Sequence, residues 1–171
     1  MTDLTRVISA MRAISPVVVT AALDAVQSRD PEAGILIAKL EETPVSAGKQ
    51  LYHFYVARVL GIDEGQHYVT PHLHLIGDEA YRFIEGRGEM YIGMLINGDD
   101  VTWLKPIKTS EDAEYVIREG EAHCLRNLGN EPLDFIFACP ESHLKDASPQ
   151  GGDRYIVKDY KNGVPPHFPE S

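Results

Sequence analysis

From Ile35 onward, apolar residues fall in short runs or alternate with polar ones, and turn residues separate them: "ILIAKLE", "LYHFYVARVLG", "HYVTPHLHL", "AYRFIEG", "EMYIGMLI", "VTWLKPI", "AEYVIREG", "HCLRNLG" and "LDFIFACP". Each run has the length of a strand, and their near-regular spacing predicts an all-β antiparallel sandwich or barrel rather than alternating strand and helix units. Asn97-Gly98, between "EMYIGMLI" and "VTWLKPI", predicts a tight hairpin. Both central positions of the favoured two-residue turn need positive φ, which Asn and Gly tolerate.

The pattern before Ile35 is different. Leu4 to Gln27 has mixed apolar spacing with Ala, Met and Leu, and Ser15-Pro16 reads as an N-cap followed by Pro at the first helical position. One or two short helices are predicted there, although Val17-Val18-Val19-Thr20 also suits a strand. "SRDPEAG" marks the turn into the strands. The chain thus divides into a helical extension over 1–33, a β domain over 34–160 and an irregular tail over 161–171, where "KNGVPPHFPES" carries three prolines.

Composition narrows the function classes. A length of 171 residues suits one domain, and 43% hydrophobic with 25% charged residues is ordinary for a globular protein. Sixteen Lys and Arg against 26 Asp and Glu give a net charge of −10, without a basic cluster. Nucleic acid is therefore not an expected partner, since phosphates need a basic footprint. The longest uncharged stretch, Ile14 to Leu23, falls short of the roughly 20 residues that span a bilayer, so neither a membrane helix nor a signal peptide is expected. Cys124 and Cys139 form no CxxC pattern and read as two reduced core thiols of a cytoplasmic protein.

The candidate chemistry lies in "PHLHLIGDEAYRFIEG", Pro71 to Gly86. On a strand, His72 and His74 point to one side of the sheet. Gly77-Asp78 supplies a turn, and Glu79 then opens a returning strand, expected beside the two imidazoles and sharing a face with Tyr81 and Phe83. A third imidazole, His123, follows in "EGEAHCLRN". Three neutral nitrogens and one carboxylate suit Fe, Mn, Co, Ni, Cu or Zn and leave positions open for water or substrate. Taken singly, each histidine reads equally well as a hydrogen-bonded structural residue.

The joint spacing carries more. Gly65, His72-x-His74, four residues, Glu79, six residues and Gly86, with the later Gly120-x-x-His123-x-x-x-Asn127, resembles the two conserved motifs of the cupin superfamily. The resemblance spans about half the chain, from near Gly65 to near Pro140. It departs at Arg118, where the family has proline, and in the six rather than five residues between Gly65 and His72. It implies a double-stranded β-helix, or jelly-roll barrel, with one divalent transition metal (Fe, Mn, Ni, Zn or Co) held by His72, His74, Glu79 and His123 inside one mouth. Single-barrel cupins commonly pair, so a homodimer is implied, with the N-terminal segment crossing onto a partner or capping one barrel end.

Fold does not decide chemistry, and three readings follow. Glu79, Tyr81, Gly86, Gly88, His123, Asn127, Gly129, Glu131 and Pro132 resemble the cupin-type glucose-6-phosphate isomerases of archaea. That resemblance implies an aldose-ketose isomerase working through a cis-enediol, with Glu79 and Tyr81 as catalytic residues. Val69-Thr70-Pro71 departs from it where phosphate would be held, because Pro71 has no N–H to donate. The second reading is an Fe(II)-dependent dioxygenase acting on a small molecule, and the third a non-catalytic small-molecule-binding module.

Tyr55 and Thr70 are candidate substrate-binding residues. Tyr81 suits either a hydrogen bond to substrate or simple filling of the barrel. His67 is expected at the rim, and His53 in a surface or core role. Asn127 is expected to tie a turn by hydrogen bonds. Gly86-Arg87-Gly88 reads as a turn, because a nucleotide loop would need a third glycine and a following helix. Arg82, Arg118 and Arg126 read as surface charges.

Overall fold

The computed structural model describes residues 3–29, 34–96 and 101–157. Two helices come first, α1 (Thr5–Ala13) and α2 (Pro16–Arg29). Asp3 Oδ1 accepts from the Thr5 N–H at 2.9 Å and the Thr5 hydroxyl at 2.6 Å, which occupies donors at the start of α1. Ser15 does the same for α2: its Oγ accepts from the Val17 N–H at 3.3 Å, and its carbonyl accepts from Val18 at 3.0 Å and Val19 at 3.3 Å. Those contacts decide the ambiguous Val17–Thr20 stretch in favour of helix despite its β-branched residues.

Twelve strands follow among the described residues: β1 (Ile35–Lys39), β2 (Val45–Ala47), β3 (Gln50–Val59), β4 (His72–Leu73), β5 (Glu79–Glu85), β6 (Gly88–Leu95), β7 (Val101–Trp103), β8 (Ile107–Lys108), β9 (Glu114–Ile117), β10 (Glu121–Asn127), β11 (Leu133–Pro140) and β12 (Tyr155–Ile156). They form two six-stranded antiparallel sheets. The first runs β1-β3-β11-β5-β9, with β2 on β3; the second runs β12-β4-β10-β6-β7, with β8 on β6. This is the all-β antiparallel sandwich that the strand rhythm predicts, with the two sheets of the jelly roll that the resemblance implies. Strands β6 and β7 pair with Leu95 opposite Val101, as a hairpin requires. Its expected turn at Asn97-Gly98, like the tail over 161–171, lies outside the described residues.

Side-chain parity in the first sheet separates two cores. Phe54, Val56, Ala80, Ile136 and Ala138 face outward and pack with Val7, Met11, Val19 and Leu23 of the helices. Tyr55, Ala57, Tyr81, Phe83, Phe135 and Phe137 face inward, against Met90 and Leu125 of the second sheet. With apolar cover on both sides, β11 is buried along its whole length, and "LDFIFACP" reads as a nearly unbroken apolar run for that reason. The N-terminal segment therefore covers a sheet face of its own chain rather than one end of the barrel.

Arginines tie the helices down. Arg58 donates from Nε and Nη2 to both oxygens of Asp134 at 2.8 Å, and from Nη1 to Asp24 and Gln27 of α2 at 2.9 Å. Arg82 departs from the expected surface charge: its side chain is only 12% exposed, and Nη1 donates to the Met11, Arg12 and Ile14 carbonyls at the end of α1. Arg118, by contrast, is 41% exposed and pairs with Asp78.

Candidate metal centre

Strand β4 is only two residues long, and antiparallel pairing sets its His72 directly opposite His123 of β10. His74 follows with the same parity, so one sheet supplies three imidazoles. Glu79 arrives differently from the expected neighbouring strand. It opens β5 in the opposite sheet, paired with Ile117 of β9, and faces the histidines across the interior. The chain changes sheets within residues 75–78. Gly77 sits there at φ +84°, in the left-handed region where a side chain is strained.

His72, His74, Glu79 and His123 are all buried, and their ligating atoms lie within 4.8 Å of one another. Glu79 Oε2 is 3.4 Å from both His74 Nε2 and His123 Nε2. The backbone orients each ring. His72 Nδ1 lies 2.7 Å from the Thr70 carbonyl, His74 Nδ1 3.1 Å from the Asp153 carbonyl, and His123 Nδ1 3.3 Å from the Glu121 carbonyl. A carbonyl only accepts, so each Nδ1 carries the proton and each Nε2 presents its lone pair inward.

Electrostatics agree with neutral imidazoles around an ionised carboxylate. Burial, then the neighbouring His123 and His74, push His72 well below its ordinary value. Burial also lowers His74, against the pull of Glu79. Burial would raise the Glu79 carboxyl, but His123, His143 and His74 outweigh it and hold the group well below the usual carboxylate range. Tyr81 moves the other way: burial first, then the adjacent Glu79 charge, push its hydroxyl well up, so it remains a donor.

Two residues that the spacing does not reveal complete the surroundings. His143, in a short 3₁₀ turn after β11, stacks on His74 with ring centroids 3.7 Å apart and planes 2° from parallel. Its Nε2 lies 2.7 Å from the Ile76 carbonyl and its Nδ1 3.9 Å from Glu79 Oε2. Asp153, 1% exposed, accepts from the N–H groups of Leu75 and Ile76 in addition to holding His74 through its carbonyl. Both come from beyond the paired motifs, where "ESHLKDASPQGGD" has no strand periodicity to single them out.

The group opens onto a cavity with about 450 Å³ of atom-free space, part of it open to solvent. His72, His74, Glu79, Tyr81 and His143 form its polar end, and Val69, Phe135, Phe137 and Leu144 belong to its apolar wall. Tyr55 and Thr70, expected to meet substrate, are not part of that wall. Tyr55 stacks on Phe137 at 5.1 Å deeper in the core, and Thr70 contributes its carbonyl to His72. His53 pairs in register with Cys139 on β11, and His67 bonds the Gly65 carbonyl, both outside the cavity wall. Asn127 ties the turn after β10, donating to the Val59, Leu60 and Glu131 carbonyls and accepting from the Gly129 N–H.

No protein-family model and no curated protein matches the chain. Among solved structures it is similar to peruvianin-I, a cysteine peptidase from Thevetia peruviana latex, with a TM-score of 0.50 and 12% identity over 72% of this chain and 67% of that one. It is also similar to the Schizosaccharomyces pombe Cnp3 cupin domain, with a TM-score of 0.47 and 9% identity, covering 62% of this chain and 60% of that structure. KdgF from Halomonas sp. gives 0.45 and 16% identity, covering 63% of this chain and 80% of that one. The fold is the two-sheet jelly roll that the motif spacing implies. At these identities the likeness concerns fold alone, and the chemistry must be argued from the residues.

The residues of the candidate centre fit a metal ion. Glu79 Oε2 and His123 Nε2 are buried without a hydrogen-bond partner, a costly arrangement that a bound cation relieves. Neutral imidazoles and one carboxylate match a divalent transition metal rather than Ca²⁺ or Mg²⁺, which prefer oxygen ligands throughout. Among the described residues no single helix is long and apolar enough to cross a membrane.

Proposed function

We propose that this cupin holds one divalent transition metal through His72, His74, Glu79 and His123, and that it is an enzyme moving a proton beside the carbonyl of a small molecule. The observation that carries the reading is the set of inward lone pairs: three Nδ1 atoms are tied to carbonyls, and Glu79 Oε2 and His123 Nε2 have no other partner. Fe, Mn, Co, Ni and Zn all suit that donor set. The metal supplies Lewis-acid stabilisation of the anion left when a proton leaves such a carbon.

The chain's own groups divide the remaining work. Tyr81 keeps its proton and donates a hydrogen bond to a substrate oxygen at the polar end. Glu79, ionised at rest, takes the proton from one carbon and returns it to the neighbouring carbon, as in an aldose-ketose isomerisation. The apolar wall excludes water. It also offers few partners for a chain of hydroxyls, and Pro71 donates nothing to a phosphate, so a compact substrate fits better than a sugar phosphate.

The same apolar wall favours a second reading, an Fe(II)-dependent dioxygenase, because apolar surface beside an open metal position suits O₂. One experiment separates the two. Protein purified without chelator is assayed for metal, then tested with small hydroxy-ketones and 2-oxo acids under argon and in air. Proton exchange at the substrate carbon under argon supports the isomerase, and O₂ uptake with no anaerobic exchange supports the oxygenase. Neither activity would leave a binding module. If His72→Ala and His123→Ala retain wild-type metal content, the proposed centre is wrong.

We propose further that the protein works as a homodimer in the cytoplasm. Met94 and Ile96 are 58% exposed and Leu104 50%, surface that a second copy would cover, and the buried Cys124 and Cys139 form no disulfide among the described residues. A light-scattering mass equal to one chain would refute the dimer.

A further inference from the structure

Resting on the metal-centre reading above, we propose that the substrate is a carboxylic acid with an apolar body, its acid group held by Arg154 at the cavity mouth and its oxygen-bearing end at the histidine cluster. Arg154 lines the same cavity as His72, His74 and Glu79 and is the one cationic side chain in that wall among the described residues, histidines aside. The same wall carries Ile35, Ile37, Val69, Phe135, Phe137 and Leu144. A cavity lined in this way suits a molecule with polar groups on a hydrocarbon body, because its apolar wall favours the body while the arginine and the histidine cluster each select a polar group.

Arg154 is oriented before any ligand arrives. Its N–H donates to the Lys145 carbonyl at 2.9 Å, and its own carbonyl accepts from Ala147 at 2.9 Å. The guanidinium Nε donates to Asp146 Oδ1 at 2.8 Å and Nη2 pairs with the same oxygen at 2.7 Å, which leaves Nη1 unengaged among the described residues. The preceding residue is Asp153, whose carbonyl orients His74. One short segment thus sets both the arginine and a metal-facing imidazole, so the distance between the two polar ends is fixed by the backbone. Arg154 also stands out electrostatically in a chain of net charge −10, where an anionic substrate needs a local cation to approach.

A guanidinium held on one edge by Asp146 has room for one further anionic group, which suits a carboxylate better than a phosphate needing donors on three oxygens. The test uses metal-loaded protein and calorimetric titration of 4-methyl-2-oxopentanoate, its methyl ester and dihydroxyacetone phosphate. The acid should bind about tenfold or more tightly than the ester, as expected for one charge-assisted contact. Arg154→Gln should abolish that preference without weakening the ester, and Arg154→Lys should restore part of it.

Equal binding of acid and ester to the wild-type protein, or a preference surviving Arg154→Gln, overturns the proposal. So does failure of the acid to bind, or phosphate-ester binding as tight as the acid's. The titration reads binding alone. If turnover or metal is missing while Arg154→Gln still erases the acid preference, the proposed reaction fails and the anion site stands.

Discussion

The two cores on either side of the first sheet treat their buried charged groups in opposite ways. On the outer side, beneath the helices, Arg58 uses Nε, Nη1 and Nη2 on Asp134, Asp24 and Gln27, and Asp134 uses both carboxylate oxygens on Arg58. On the inner side, Glu79 Oε2, His123 Nε2 and His143 Nδ1 are buried with no hydrogen-bond partner. The outer network is closed within the protein and holds layers together. The inner one is open at its centre, and its arrangement makes sense only with something bound.

The largest expected effect breaks the closed side. Arg58→Ala leaves Asp134, 3% exposed, as an unpaired buried charge, and denaturant unfolding should show a loss of about 3–5 kcal/mol. Replacing both partners by Met and Leu should recover much of that loss, because no charge is then stranded. If Arg58→Ala unfolds like wild type, the network is not what anchors α2.

Next comes the open side. Stripping the metal should lower stability by about 3–4 kcal/mol relative to protein held at one hundred to one thousand times the dissociation constant. Thermal unfolding with and without chelator measures the change, and an unchanged transition would mean that the inner atoms are not satisfied by a metal. The smallest effect sharpens the boundary between the two sides. Asp153→Asn leaves the barrel folded but disturbs the acceptors for the Leu75 and Ile76 N–H groups. Metal affinity should fall about 10- to 100-fold with little change in circular dichroism, and unaltered affinity would show that the loop needs no carboxylate.

The strand rhythm and the parity of His72 and His74 were legible because both are local: alternation along one strand needs no knowledge of the fold. The meeting with His123 required the pairing of β4 with β10, which the family-like spacing supplied. Glu79 was legible as a neighbour but not as a residue of the opposite sheet, because a four-residue connection reads alike whether it reverses within a sheet or crosses between two. Arg82 was misread as a surface charge because a strand position facing outward becomes buried only once α1 lies over it. His143, Asp153 and Arg154 come from irregular chain, where no period marks a side chain as inward.

The bond from the Asp153 carbonyl to His74 Nδ1 joins residues 79 positions apart in the chain. During synthesis, both sheets can begin to pair while His74 still lacks the acceptor that orients it. The centre becomes complete only after Asp153 has left the ribosome, so the two motif-bearing stretches cannot assemble it by themselves.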